Sequence, residues 1–178
     1  MDGAAPTAPR LHGERVVLRA VEAADVAPLR AILLDPSVAR WWGMPRPGVD
    51  VADDWLSADP ETTVWVIEVE GSVAGSIQAS EEEEPDYRHA GIDLFLGPAY
   101  QGQGLGSDAI RTVARYLLDV RSHHRLTIDP SAANARAIRT YSSVGFRPVG
   151  IMRRYERGPD GTFHDGLLMD LVADEFTP

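Results

Sequence analysis

Apolar and polar positions along this chain alternate with strand period in some stretches and recur with helical period in others, and the changes of period predict its elements. Val16-Val17-Leu18-Arg19 reads as a short alternating strand. Val26, Leu29, Ile32 and Leu33 recur at helical spacing and predict a helix over 24–34. Pro28 fits only near its first turn, which sets the start close to Asp25, and Asp35-Pro36 ends it. A second short helix is expected over 49–58, around Asp53-Asp54-Trp55-Leu56. Strands over 63–69 and 72–80 flank Glu70-Gly71, a hairpin signal. An acidic loop over 81–85 leads to a strand over 87–96. Ile110, Val113, Ala114, Leu117 and Leu118 form one apolar stripe and predict a helix over 107–120. A strand over 126–130 ends in a carboxylate. A helix starting at 131 or 133 and running to 144 carries Ala137, Ile138 and Tyr141 on one face and closes at Gly145. Strands over 146–155 and 163–172 turn around Gly158-Pro159-Asp160-Gly161. The order β-α-α-β-β-β-α-β-α-β-β predicts an α/β fold with one mixed sheet.

One stretch carries more chemistry than the rest. Ile92, Leu94 and Leu96 alternate with Asp93 and Phe95, and Gly97-Pro98 stops that strand. Gly102, Gly104 and Gly106 follow, directly ahead of the amphipathic helix. Without Cβ atoms the backbone can approach an anion closely, and the first N–H groups of the helix point at it. A flexible turn would need only one or two glycines. No Gly-Lys-Ser/Thr follows, so this is not a Walker loop, and Ser107 stands where a dinucleotide fingerprint needs its third glycine. The residues by themselves imply a pyrophosphate-bearing ligand and leave its nucleotide class open.

Gln101-Gly102-Gln103-Gly104-Leu105-Gly106 resembles the Gln/Arg-x-x-Gly-x-Gly/Ala signature of the GCN5-related N-acetyltransferases. Asn134-Ala135-Arg136-Ala137-Ile138-Arg139-Thr140-Tyr141, followed by Gly145-Phe146, resembles that family's second motif. The resemblance covers nearly the whole chain. It implies a central, mostly antiparallel mixed sheet flanked by helices, with the fourth and fifth predicted strands splayed around acetyl-CoA. It further implies cofactor contacts at Leu94, Phe95, Leu96, Gln101, Gly102, Gln103, Gly104, Leu105, Gly106, Ser107, Asn134, Ala137 and Tyr141. In the family the tyrosine points at the thioester sulfur. A phenol near pKa ~10 can protonate a departing thiolate near ~8.5. The alternative for Tyr141 is a core residue with its hydroxyl at the surface.

Trp41-Trp42-Gly43, Gly91-Ile92-Asp93 and Asp129-Pro130 look like the aminoglycoside 6′-N-acetyltransferases and their siderophore-acylating relatives. That likeness implies catalytic roles for Asp93 and Tyr141 and an acceptor site of Trp41, Trp42, Glu82, Asp93 and Asp129. Neighbouring tryptophans on a helix point about 100° apart, so one is expected to line a surface or cleft. Asp93 starts as a poor base, near pKa ~3.9, and is expected to orient the amine, with proton loss through water. Asp129 reads equally as a helix cap or turn residue and as an acceptor ligand. The hairpin from Met152-Arg153-Arg154-Tyr155 through His164-Asp165-Gly166-Leu167-Leu168-Met169 looks more like enzymes that acetylate ribosomal-protein N-termini and polyamines. The expected activity is direct acetyl transfer from acetyl-CoA to a cationic small-molecule amine, with an aminoglycoside 6′-amine first. The alternatives are an N-terminal, polyamine or siderophore-amine acyltransferase, another acyl donor such as succinyl-CoA, or a CoA-binding module without catalysis.

Composition adds limits. With 178 residues, 44% of them hydrophobic, the chain has enough apolar surface for one domain with a proper core. That domain is expected over 11–178, behind a disordered Ala/Pro-rich lead-in over 1–10. The lead-in lacks the charged and apolar regions of a signal peptide. No apolar run approaches the ~18–20 residues of a membrane span, so a cytoplasmic protein is expected. Absence of cysteine removes disulfides, thiolate metal sites and a Cys nucleophile. His89, His123, His124 and His164 have no metal-ligand spacing, so no metal is expected, and His123-His124 reads as an exposed loop. Net charge is −10, and residues 47–87 hold twelve Asp or Glu and no Lys or Arg. Nucleic acid is a poor partner for such a surface, and a cation a natural one. The segment also reads simply as a solvated acidic face. Either a monomer or a homodimer is compatible with the sequence.

Overall fold

The computed structural model describes residues 8–42, 55–56 and 61–177. The helix expected over 49–58 lies outside the described residues apart from Trp55 and Leu56, which are helical, and so does most of the lead-in.

Strands β1 (Leu11–His12), β2 (Val17–Ala20), β3 (Thr62–Val69), β4 (Ser72–Glu82), β5 (His89–Leu96), β6 (Arg125–Ile128), β7 (Arg147–Arg157) and β8 (Phe163–Val172) make one sheet. Its order is β1-β2-β3-β4-β5-β6-β8-β7, and only β5 and β6 run parallel. Helix α1 (Val26–Leu33) follows a 3₁₀ turn, Ala23–Asp25, and α2 is Pro36–Trp42. Helix α3 (Leu105–Arg115) ends in a π-helical turn, Tyr116–Val120, and α4 is Ala135–Val144. The helix expected over 107–120 thus changes hydrogen-bond register in its last turn, a device often seen near functional sites.

Alternation along the strands sorts side chains between two cores. Leu18, Trp65, Ile67, Ile92 and Leu126 pack with Ile110, Val113 and Leu117 of α3 and Val144 of α4. Val66 and Phe95 face the other way, onto Leu29, Leu33, Val38 and Trp55. On β5, Leu94 and Leu96 therefore join the α3 side, while Phe95 joins the α1–α2 side.

Strand β4 runs two residues past the expected end. Glu81 and Glu82 pair with Ala90 and His89, so the acidic loop begins only after them. Nor is the acidic segment a free negative face. Glu81 pairs with Arg121 at 2.9 Å and with His123 at 2.7 Å, and Glu83 meets Arg88 and Arg121, each at 3.1 Å. Glu68 is held by Arg19 at 2.7 Å. His123, expected exposed, is 2% exposed and seals this network. Glu81, Glu83 and His123 bring one potential ligand atom each within 4.8 Å of one another. The two carboxylates already have arginine partners and His123 pairs with Glu81, so the cluster reads as an ion-pair network.

Candidate active site

Strands β5 and β6 pair only at Ala90–Leu126 and Gly91–Thr127. Beyond Gly91 they separate, as expected for strands splayed around a ligand. Among the described residues, the edge of β5 at Leu94–Leu96 then has no strand partner on that side, and its backbone groups need partners from elsewhere.

Two cavities open at this gap. The first, about 640 Å³, is lined by the β5 edge, by Gln101, Gly102 and Gly104 of the loop, by Gly106 and Ser107 in the first turn of α3, and by Arg136, Ala137, Arg139 and Tyr141 of α4 with its cap Asn134. Gly102 and Gly104 have φ of +76° and +81°, the left-handed region that a Cβ disfavours. A Cβ on Gly104 would touch nothing within 4 Å, so glycine is required there by conformation and not by space. Gly104 caps α3, and Gly104, Gly106 and Ser107 line the cavity, so the N-terminal end of the helix forms part of its wall. Arg136 Nη2 lies 3.5 Å from the position a Gly102 Cβ would occupy, which sets a guanidinium over the loop. Free N–H groups with a guanidinium beside them fit a pyrophosphate.

The loop is held from behind. Asp108, in the first turn of α3, accepts the N–H groups of Glu14, Arg15 and Val16 at 2.9, 2.7 and 3.0 Å. Arg15 Nη1 donates to the Gln103 carbonyl at 2.6 Å.

Several expected cofactor residues prove to hold the frame. Gln101 donates to the Leu96 carbonyl at 2.7 Å and accepts from Arg136 at 2.8 Å, bracing β5 against α4. Gln103 is exposed and donates to the Ala99 carbonyl at 2.6 Å. Leu105 is 1% exposed and belongs to the core. Asn134 caps α4 through Ala137 N–H at 3.2 Å and also lines both cavities.

The second cavity, about 590 Å³, lies on the other side of the gap and brings together Trp41, Trp42, Asp93, Asp129, Tyr155 and Glu156. Asp93 is half-buried, and Gln78 Nε2 reaches it at 3.4 Å. Burial, then the nearby Asp129 carboxylate, pushes the Asp93 carboxyl up to about 6, against the opposing Gln78 contact. Burial and the Asp129 charge also raise Glu156. Tyr141 lines both cavities and is 9% exposed. Among the described residues its hydroxyl has no hydrogen-bond partner. Burial first, then the charges of Asp93 and Asp129, raises its phenol well above the ordinary value.

The tryptophans divide as helical neighbours must. Trp42 packs edge-on against Phe95, with ring centroids 4.9 Å apart, while the Arg40 guanidinium sits 4.6 Å over the Trp41 ring. One face of Trp41 is therefore already occupied by a cation. Glu82 is not brought to the site. It is exposed, lines neither cavity, and accepts the Glu84 N–H at 2.8 Å.

A split parallel strand pair with a glycine loop at its mouth is the arrangement the sequence motifs anticipate. A family model described as an acetyltransferase (GNAT) domain matches residues 15–147. The chain belongs to the GNAT acetyltransferase family. This GNAT acetyltransferase is 31% identical over 164 residues to an aminoglycoside N(6′)-acetyltransferase type 1 of Klebsiella pneumoniae, covering 83% of this chain and 80% of that one. It is 28% identical over 166 residues to a spermidine N(1)-acetyltransferase of Escherichia coli K12, covering 90% and 88%. It superposes on Mycobacterium smegmatis RimJ in complex with CoA-disulfide at a TM-score of 0.81 and 22% identity, covering 99% and 91%, a likeness that speaks for the fold. No helix among the described residues is long and apolar enough to cross a membrane. Arg136 lines the first cavity, Tyr155 and Glu156 line the second, and Gln78 reaches Asp93; motif reading singled out none of them.

Proposed function

We propose that this N-acetyltransferase transfers the acetyl group of acetyl-CoA to a primary amine of a cationic small molecule, with the 6′-amine of an aminoglycoside as acceptor. One observation carries the reading: a cavity whose glycine loop and arginine suit a diphosphate and a cavity lined by carboxylates meet at Tyr141. Bound acetyl-CoA supplies an activated acetyl thioester.

The protein's own groups have distinct tasks. The N–H groups of 102–106 and Arg136 hold the diphosphate, and the strand-free edge of β5 at Leu94–Leu96, with only its Leu96 carbonyl taken up by Gln101, pairs with the amide arm. Asp129 and Glu156 hold the acceptor's remaining positive charge. Asp93 binds the reacting ammonium. With its carboxyl near 6 it is ionised at neutral pH, yet far more basic than an ordinary aspartate. The ammonium first loses one proton to solvent, which frees the nitrogen lone pair; Asp93 then takes a second proton as nitrogen bonds to the thioester carbonyl carbon and the carbon–sulfur bond breaks. Tyr141 keeps a proton at its hydroxyl oxygen, available to the leaving sulfur. Burial first, and then two carboxylates, make that phenol a weak acid, and a bound cation offsets the carboxylates' share. Acceptor binding therefore prepares Tyr141 to donate.

A second reading is a linear polyamine acceptor. The row of Asp93, Asp129 and Glu156 also suits spermidine, and the spermidine-acetylating relative spans more of this chain. Thiol release from acetyl-CoA separates the two. Turnover with kanamycin, which has a 6′-amine, and none with paromomycin, which has a 6′-hydroxyl, is expected. Turnover with spermidine alone would favour the polyamine, release only from succinyl-CoA would change the donor, and no release with any amine would leave a CoA-binding module.

A further inference from the structure

Nothing in the backbone requires Gly91 to be glycine. It lies inside β5, where the register with β4 runs unbroken from the Gly75–Leu96 pair to the Glu82–His89 pair. Its φ is not left-handed. A Cβ built on it would meet Thr127 Oγ1 at 3.5 Å and the Ser80 carbonyl at 4.0 Å, ordinary contacts that do not exclude a side chain. A glycine inside a strand weakens it, and where neither a bulge nor a close backbone accounts for it, the approach of a ligand does.

The space for such a ligand is present. A third cavity, about 310 Å³, lies against Gly91 and is lined also by Ser80, His89, Arg125 and Thr127. It shares Asp93 and Asp129 with the acceptor cavity, so the two adjoin at that pair of carboxylates. It has room for about ten waters at ~30 Å³ each, more than one sugar ring displaces. Register gathers the polar groups: His89, Gly91 and Asp93 share one face of β5, and Ser80 of β4 and Thr127 of β6 stand opposite Gly91.

The lining selects among cationic acceptors. Arg125 uses only its Nε on Asp170, at 2.9 Å, and its terminal nitrogens have no hydrogen-bond partner among the described residues. His89 Nδ1 lies 2.8 Å from the Tyr87 carbonyl. That oxygen can only accept, so Nδ1 carries the hydrogen and Nε2 of the neutral ring is an acceptor. Ser80 and Thr127 can donate or accept. Sugar hydroxyls use both kinds of partner. The ammonium groups of a polyamine only donate, and a guanidinium repels them.

We propose that the cavity against Gly91 is a subsite for a hydroxyl-bearing ring of the acceptor, joined to the ring whose amine reacts at Asp93. The proposal rests on the reading of the Asp93–Asp129 cavity as the acceptor site, and it favours an aminoglycoside over a linear polyamine.

The test compares thiol release with kanamycin A, with 6-amino-6-deoxyglucose, which is its amine-bearing ring alone, and with spermidine. The wild type should favour kanamycin A over the single ring about tenfold or more in kcat/KM. Gly91→Val fills the cavity floor with a side chain suited to a strand, and melting curves will show that it folds. It should lower kcat/KM for kanamycin A about tenfold, through KM, and reduce the preference over the single ring by a similar factor. Gly91→Ala should act in the same direction more weakly, because its Cβ makes only ordinary contacts. Thr127→Val keeps the size and removes one hydroxyl, and should raise KM for kanamycin A about threefold. Where the single ring reacts too slowly to follow, the KM for kanamycin A decides. Equal losses on both acceptors with Gly91→Val, an unchanged KM for kanamycin A, or a loss confined to kcat would overturn the proposal. Wild-type turnover of spermidine without kanamycin A would also overturn it and leave the cationic-amine reading standing. No wild-type turnover of any of the three overturns both.

Discussion

Replacing Asp93 by Asn should make the protein more stable and far less active at neutral pH. Burial and Asp129 push the Asp93 carboxyl from its ordinary 3.8 up to about 6. A folded-state value above the unfolded one means that ionisation disfavours the folded state. The penalty is absent below about pH 3.8, where the group is neutral folded and unfolded alike, and is full above about pH 6. The gap corresponds to roughly 3 kcal/mol, and solvent screening of the half-buried group reduces this to about 1–2 kcal/mol. Asn retains a carbonyl oxygen for the Gln78 contact, so little bonding is lost. Thermal unfolding near pH 7.5 should show a midpoint about 3–6 °C above wild type. Near pH 4.5 only about a third of the gain should remain. Acetyl transfer by the same variant should fall about 10²–10³-fold. A less stable variant at pH 7.5, or a gain that does not change with pH, would refute the reasoning about how this carboxyl is tuned.

Two further outcomes follow from the site and its frame. Tyr141→Phe should lower kcat about 10²-fold while leaving CoA affinity, read by calorimetry, nearly unchanged, because the hydroxyl has no hydrogen-bond partner among the described residues to lose. Asp108→Ala should destabilise the protein by about 2–4 kcal/mol in urea unfolding, since three backbone N–H groups lose their acceptor at once.

The parts of the site that a reader of the sequence can find are those written in contiguous residues. The glycine loop and the Asn134–Tyr141 helix each carry their chemistry in a single segment, so spacing alone reveals them. The two faces of β5 are equally readable, because Ile92 and Phe95 occupy opposite cores by simple alternation. What period and composition do not show is how distant charges meet. Residues 47–87 look like an unopposed anionic stretch, yet Arg19, Arg88 and Arg121 come from elsewhere in the chain to cover Glu68, Glu81 and Glu83. Glu82 belongs to β4 because its backbone pairs with His89, a long-range preference that overrides four like charges in a row. Tyr155 and Glu156 escape notice for another reason. An inserted bulge resets the alternation of β7, and the sequence records it only as Gly166, whose missing Cβ makes room for a ring from the neighbouring strand. The raised Asp93 value depends on burial first and then on Asp129, and only the folded sheet supplies either.

The central claim is that the carboxylate-lined cavity presents a 6′-amine to acetyl-CoA at Asp93 and Tyr141. It is tested most directly by locating the acetyl group on kanamycin after reaction with the purified protein, using NMR of the product. The account predicts a single acetyl group on the 6′-nitrogen, formed at a rate that Asp93→Asn reduces sharply. Acetylation at another amine, or unmodified kanamycin with acetyl-CoA still bound by the protein, would contradict it.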